Sequence, residues 1–165
     1  MAQGSHGHGM SLEPTPPALR FAFTIDARIG TFEAQGTGPL GQRLHIPIVG
    51  GEVTGAALQG RVRPGGSDWA LLRVDGATFV DARYTIEAED GTLIYVQSRG
   101  LRVSSPEVLA RLQAGAPVAD DEVYFRCAPT FESPEGPHAW LNQRLFIAPV
   151  RRTATGVQLQ VFQVG

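Results

Sequence analysis

Lysine is absent from this chain of 165 residues, and all fourteen of its basic side chains are arginine. Against sixteen acidic residues they leave a formal net charge of −2. No clustered positive field exists to neutralise a phosphate backbone, so no nucleic-acid partner is expected. Cys127 is the single cysteine; an internal disulfide is excluded, and a reducing cytoplasm is the expected compartment. No apolar run reaches the roughly eighteen residues that a membrane-spanning helix needs, so no membrane partner is expected either. The glycines form no Gly-x-x-x-x-Gly-Lys phosphate loop and no Gly-x-Gly-x-x-Gly linking a strand to a helix, and there is no Gly-x-Ser-x-Gly nucleophile elbow. The four histidines include an isolated pair, His6 and His8, in the opening residues. They fall short of the three or four ligands of a zinc site, so neither a metal nor any other cofactor is expected.

What is present is glycine, at 20 residues, and proline, at 12, in a chain 42% apolar and only 18% charged. That composition suits a globular domain of short strands and frequent turns. Met1 to Ser11 reads as an added leader without the apolar stretch of a signal peptide, and Met10 is a second candidate start. Residues 1–18 are therefore set apart as leader and extended lead-in, and residues 19–165 as one domain. Leu19 to Ala27 alternates, with Leu19, Phe21, Phe23 and Ile25 on one side. Gly36 to Gly41 reads as a loop, Gln42 to Val49 as a strand broken by Gly50-Gly51, and Ala57 to Arg63 as another strand before Pro64-Gly65-Gly66. Ser104 to Ala114 is the one helical stretch, a helix over about residues 105–114 with Ser104 as cap, Glu107 completing a capping box and Gly115 at its exit. Glu122 to Phe131, Ala139 to Val150 and Val157 to Val164 complete the strands. The expected fold is all-β: an antiparallel up-and-down barrel of roughly 8–10 strands with one short helix.

The centre of the chain allows a register. Ser67 to Val74, Ala77 to Glu89 and Thr92 to Leu101 are separated by Asp75-Gly76 and Asp90-Gly91. Asp-Gly between alternating runs signals a two-residue type I′ hairpin. Such turns set Val74 against Ala77, Leu72 against Phe79 and Asp68 against Arg83; beyond the second turn they set Arg83 against Ser98 and Ile86 against Tyr95. Asp68, Arg83 and Ser98 then share a face with Asp81 beside them, while Trp69, Ala82, Arg99, Tyr84 and Tyr95 share the other. The Arg83 face mixes aliphatic residues with charges, which fits a lined cavity or, equally, a cross-strand ion pair.

Gly65-Gly66-Ser67-Asp68-Trp69, Asp75-Gly76, Asp81-Ala82-Arg83-Tyr84-Thr85 and Asp90-Gly91-Thr92-Leu93-Ile94-Tyr95 resemble the central motifs of the domain of unknown function 3237 family. Phe125-Arg126, Phe131-Glu132 and Trp140-Leu141-Asn142 resemble its later motifs, so the likeness runs over about residues 19 to 164. Ser67 stands where Ala is more usual and Cys127 where Thr is expected. The resemblance implies a small soluble β-barrel, a homo-oligomer (dimer or tetramer), and no general activity.

The residues suggest chemistry of their own. Asp68 is the candidate general base and Arg83 an electrostatic clamp, with Glu132 as a second carboxylate at the end of its strand. Trp69, Asp81, Tyr95, Arg126, Trp140 and Asn142 are the candidate substrate-binding groups. Each has a plainer reading as ion pair, core aromatic, loop-end charge or oligomer contact. Cys127 shares parity with Val123 and Phe125 and reads as a buried, unreactive thiol. Three functions follow: a cofactor-independent isomerase, cyclase, lyase or hydrolase of a small organic or aromatic metabolite; a barrel that binds such a molecule without turnover; and a structural, oligomeric module.

Overall fold

The computed structural model describes residues 13–165; the expected leader, with Met10, His6 and His8, lies outside the described residues. The strands are β1 (Leu19–Ile29), β2 (Glu33–Gly38), β3 (Gly41–Thr54), β4 (Gly60–Val62), β5 (Gly66–Asp68), β6 (Leu71–Arg73), β7 (Thr78–Ala88), β8 (Leu93–Val103), β9 (Tyr124–Glu132), β10 (Phe146–Arg152) and β11 (Gly156–Val164), with one helix, α1 (Pro106–Gln113). Every pairing is antiparallel. β4, β5 and β6 run in series between β3 and β7 and together act as one interrupted strand. β1 pairs with β11 on one side and β3 on the other, which closes an eight-stranded, up-and-down barrel. A barrel of about eight strands is just wide enough to be filled by side chains or to hold one small ligand.

The two halves of this barrel are filled differently. At one end Phe23, Phe131 and Phe146 pack edge to face, with centroids 5.5 and 5.1 Å apart. A 3₁₀ turn over Ala139–Gln143 drops Leu141, 1% exposed, into that end and sets Trp140 against Phe146. β8 runs away from this plug and leads into α1 at the opposite end, where the interior stays open. Inward positions alternate along β7 as Thr78, Val80, Ala82, Tyr84 and Ile86, and along β8 as Ile94, Val96 and Ser98.

The central hairpins are one residue out from the expected register. Arg73 N–H donates to Ala77 O at 2.8 Å and Ala88 N–H to Thr92 O at 2.9 Å, so each loop has three residues, not two. Asp75 and Asp90 accept from the main-chain N–H two residues on, and Gly76 and Gly91 take φ of +86° and +85°. Each loop is a turn followed by a left-handed glycine, which adds a residue to the connection. The observed pairs are Asp68 with Ala82, Ser67 with Arg83, Arg83 with Gln97, and Ile86 with Ile94. The expected Asp68–Arg83 and Ile86–Tyr95 pairs do not form, because a slip of one residue sends a side chain to the other face. Two slips compensate for the outer strands: Asp68 and Ser98 still share a row, with Ala82 between them in place of Arg83.

Other boundaries differ for local reasons. A bulge between Phe21 and Phe23 turns Phe21 outward, edge-on to Phe162 at 5.6 Å, so only Phe23 and Ile25 of that expected face are buried. β3 runs through Gly50-Gly51 without a break; at Gly51 a Cβ would sit 2.0 Å from Asp26 O, so glycine is what lets β3 close against β1. Gly36 to Gly41 is a β-hairpin rather than a loop, and the strand expected over Ala57 to Arg63 shrinks to β4. Ser67 to Val74 divides at Trp69-Ala70 into β5 and β6, and the first part of Ala139 to Val150 is helical. The cap of α1 is Ser105, whose hydroxyl accepts from Val108 N–H at 3.2 Å. Pro106 occupies the first turn, so the expected Ser104–Glu107 capping box does not form.

Candidate functional site

The open half of the barrel holds a cavity of about 400 Å³ with mostly apolar walls. Ile29 and Phe32 border it at the end of β1, and Leu109 and Leu112 of α1 lie over it. That volume lies within the usual range of small-molecule pockets. Most of its polar groups come from the inward positions of strands, with Gln113 added from α1. Asp68 stands at the end of β5, where the chain breaks before β6; its Oδ1 accepts the Asp81 main-chain N–H at 3.0 Å. Burial raises the Asp68 pKa to about 6; the nearby Asp81 carboxylate adds to the rise, while the Asp81 N–H bond and Arg102 oppose it.

Two hydroxyls are buried in the wall of the same space. The Tyr84 OH lacks a hydrogen-bond partner within the protein, and the Ser98 Oγ lies beside the Cys127 thiol, to which it can hydrogen-bond. Burial pushes the Tyr84 hydroxyl far above its ordinary pKa, so it stays protonated. Cys127, expected to be buried, is 4% exposed on the cavity wall, and burial raises its thiol to about 11. Nearer α1, Arg102 donates to Thr78 Oγ1 at 3.3 Å, and Arg152 lies on the next inward-facing strand but one. The arrangement offers a carboxyl that titrates near neutrality, a tyrosine hydroxyl without a partner, a serine hydroxyl, and an apolar enclosure. That is what proton transfer on a small molecule needs.

The profile of the family described as "Protein of unknown function (DUF3237)" matches residues 17–164. The chain belongs to the DUF3237 family. A UPF0311 protein of Rhodopseudomonas palustris (strain TIE-1) is 39% identical over 145 residues, covering 88% of this chain and 95% of the relative. The crystal structure of a conserved protein of unknown function from Rhodopseudomonas palustris superposes with a TM-score of 0.86 at 38% identity, covering 93% of this chain and 100% of the other. A β-barrel-like protein from Acinetobacter baumannii gives 0.80 at 31% identity, over 94% of this chain and 100% of the other.

Within this DUF3237 barrel, Asp68 alone of the candidate catalytic and substrate-binding residues lines the cavity. Arg83 faces outward with its side chain half exposed, 3.6 Å from Asp81, which also lies 3.6 Å from Arg99. Trp69 is outside, stacked on His45 at 4.3 Å. Tyr95 and Glu132 pair with each other on the outer face of β8 and β9, towards the plugged end. Arg126 lies outside over the ring of Tyr124, 5.4 Å from its centroid. Trp140 belongs to the plug; exposed Asn142 clamps the preceding loop, accepting from Ser133 N–H and donating to Ser133 C=O at 2.8 Å each. The structure thus brings Asp68 together with Tyr84, Ser98, Arg102 and Arg152, and not with Arg83, Glu132, Trp140 or Asn142. Tyr84 was placed on the opposite face by the register slip. Arg102 carried a readable signal: it continues the buried parity Ile94, Val96, Ser98 on β8. Among the described residues no helix is long and apolar enough to cross a membrane.

Proposed function

We propose that the barrel is a cofactor-independent enzyme that encloses a small organic metabolite and moves a proton on it, as an isomerase, cyclase, lyase or hydrolase. Asp68 is the general base, and the hydroxyls of Tyr84 and Ser98 donate to oxygen where negative charge develops. The observation that carries this reading is the joint position of an acid with a pKa of about 6, a buried tyrosine hydroxyl without a partner and a buried serine hydroxyl, all in the wall of one apolar cavity. A structural ion pair would account for a carboxylate at a strand end. It would leave unexplained why the neighbouring Tyr84 donor lacks an acceptor, since burying an unpaired hydroxyl costs about 1–3 kcal/mol.

The test begins with a thermal-shift screen of a metabolite panel, because a ligand bound only by the native state raises Tm. Hits are then assayed for turnover by wild type and by Asp68→Asn. Turnover that rises with pH through about 6 and falls by about a hundredfold or more in Asp68→Asn supports the base assignment. Full turnover by Asp68→Asn removes Asp68 from the mechanism. Bound but unconverted hits would assign the cavity to capture alone.

A further inference from the structure

Arg102 sits where a cation is expensive, and exposed Arg152 stands near it at the rim of the same cavity. Arg102 lies at an inward position of β8, and its guanidinium forms part of the cavity wall. Arg152 ends the inward series Phe146, Ala148, Val150 on β10, and the start of β9 separates it from Arg102. Among the described residues no carboxylate lies within 4.0 Å of either guanidinium. The side-chain bond Arg102 makes is to Thr78 Oγ1. Burial, with repulsion from Arg152 second, holds Arg102 below its ordinary pKa; Asp68 compensates only in part. Other arginines without a carboxylate, such as Arg126 and Arg144, lie on the outer surface where water solvates them. Arg102 is only partly open to water. Two cations face a largely apolar chamber with one carboxylate deeper inside.

We infer that the cavity takes an amphipathic organic anion, a carboxylate in chemical class, whose acidic group is held by Arg102 and Arg152 under α1 while its apolar body runs past Ala82 towards Tyr84. This rests on the reading above that the cavity holds a small molecule. Arginine suits the task because its planar fork matches a carboxylate with two parallel donors. The geometry also orders the ligand. Its charged end stays near α1, and the part that reaches Asp68, Ser98 and Tyr84 is the part available for proton transfer.

The test uses two fluorescent probes that share one aromatic skeleton, 1-anilinonaphthalene-8-sulfonate and the neutral N-phenyl-1-naphthylamine, titrated into the full chain. The anionic probe is expected to bind at least about tenfold tighter. It is expected to be displaced by 2-naphthoate and far less by 2-naphthamide. Arg102→Met and Arg152→Met should each remove most of that preference while leaving the neutral probe bound. Arg151→Gln, on the exposed outer face, removes the same charge and should leave the preference intact. Near-UV circular dichroism checks that each variant is folded; if Arg102→Met is not, the exposed Arg152→Met carries the test. Ala82→Phe, which fills the chamber, should lose both probes. Equal binding of the two probes by wild type, or a preference that survives both arginine substitutions, overturns the anion assignment and leaves the cavity reading standing. Binding of neither probe overturns the cavity reading, and the anion with it.

Discussion

The Asp68 carboxylate accepts the main-chain N–H of Asp81 at 3.0 Å, which fixes the acid across the β5–β7 pair with its partner Ala82 beside it. The fold tolerates this buried acid at a cost that depends on pH. Its pKa is 3.8 in the unfolded chain and about 6 in the barrel, a difference of about 3 kcal/mol against the ionised form. Below about pH 3 the group is protonated in both states and costs nothing. As pH rises from there to about 6 the unfolded chain loses its proton first, so stability falls, and above 6 the whole cost is present.

Asp68→Asn keeps an oxygen for the Asp81 N–H and removes the charge. In urea unfolding at a series of pH values, its stability relative to wild type should be flat below about pH 3 and then gain roughly 2–3 kcal/mol by pH 7. Parallel stability curves for the two proteins would mean that Asp68 ionises as freely as in water.

Tyr84→Phe separates stability from function. The buried hydroxyl has no partner, so its removal should leave urea stability unchanged or raise it by about 1–2 kcal/mol. The same change should weaken any ligand that accepts from that hydroxyl. A loss of more than about 2 kcal/mol would reveal an internal acceptor and return Tyr84 to a purely structural role.

The barrel was legible because its evidence is local: alternation in β7, β8, β9 and β11, and Asp-Gly at both central turns. The inner wall was not, because one uncertain residue in a loop decides which face every neighbour occupies. Asp75-Gly76 reads identically as a two-residue loop or as the end of a three-residue one, and only the Arg73–Ala77 bond separates them. Asp68 and Ser98 kept their shared row through two cancelling slips, whereas Arg83 and Tyr84 exchanged faces. Trp140 and Asn142 were misplaced for another reason. Their alternation with Arg144 suits a strand, yet the three-residue period of the 3₁₀ turn buries Leu141 between them. Arg152 needed the whole closed sheet, since its inward parity follows from β10 packing against β9 and β11.

Those two turns can be tested directly. Gly76→Ala and Gly91→Ala each force a side chain to φ near +85°, which costs about 1–2 kcal/mol per site, with open space around both. The two costs should add, since the turns share no partner. Two-residue type I′ loops would also need positive φ at Asp75 and Asp90, where neither is found. Asp75→Gly should therefore fail to stabilise the protein in equilibrium unfolding, and a gain of about 1 kcal/mol or more would point to the shorter loop.

Cys127 supplies a reporter on the chamber itself. Its thiol is raised from 9.0 to about 11, so at pH 8 the reactive thiolate is about a hundredfold scarcer than in the unfolded chain. Reaction with 5,5′-dithiobis(2-nitrobenzoate) should accordingly be at least about a hundredfold slower in buffer than in concentrated urea. Because the thiol lies on the cavity wall, a molecule seated there adds a steric barrier. Saturating 1-anilinonaphthalene-8-sulfonate should slow native labelling further without changing the rate in urea. Labelling that ignores a bound probe would place that probe outside the barrel, on the exposed aromatic surface of Trp69 and Tyr124.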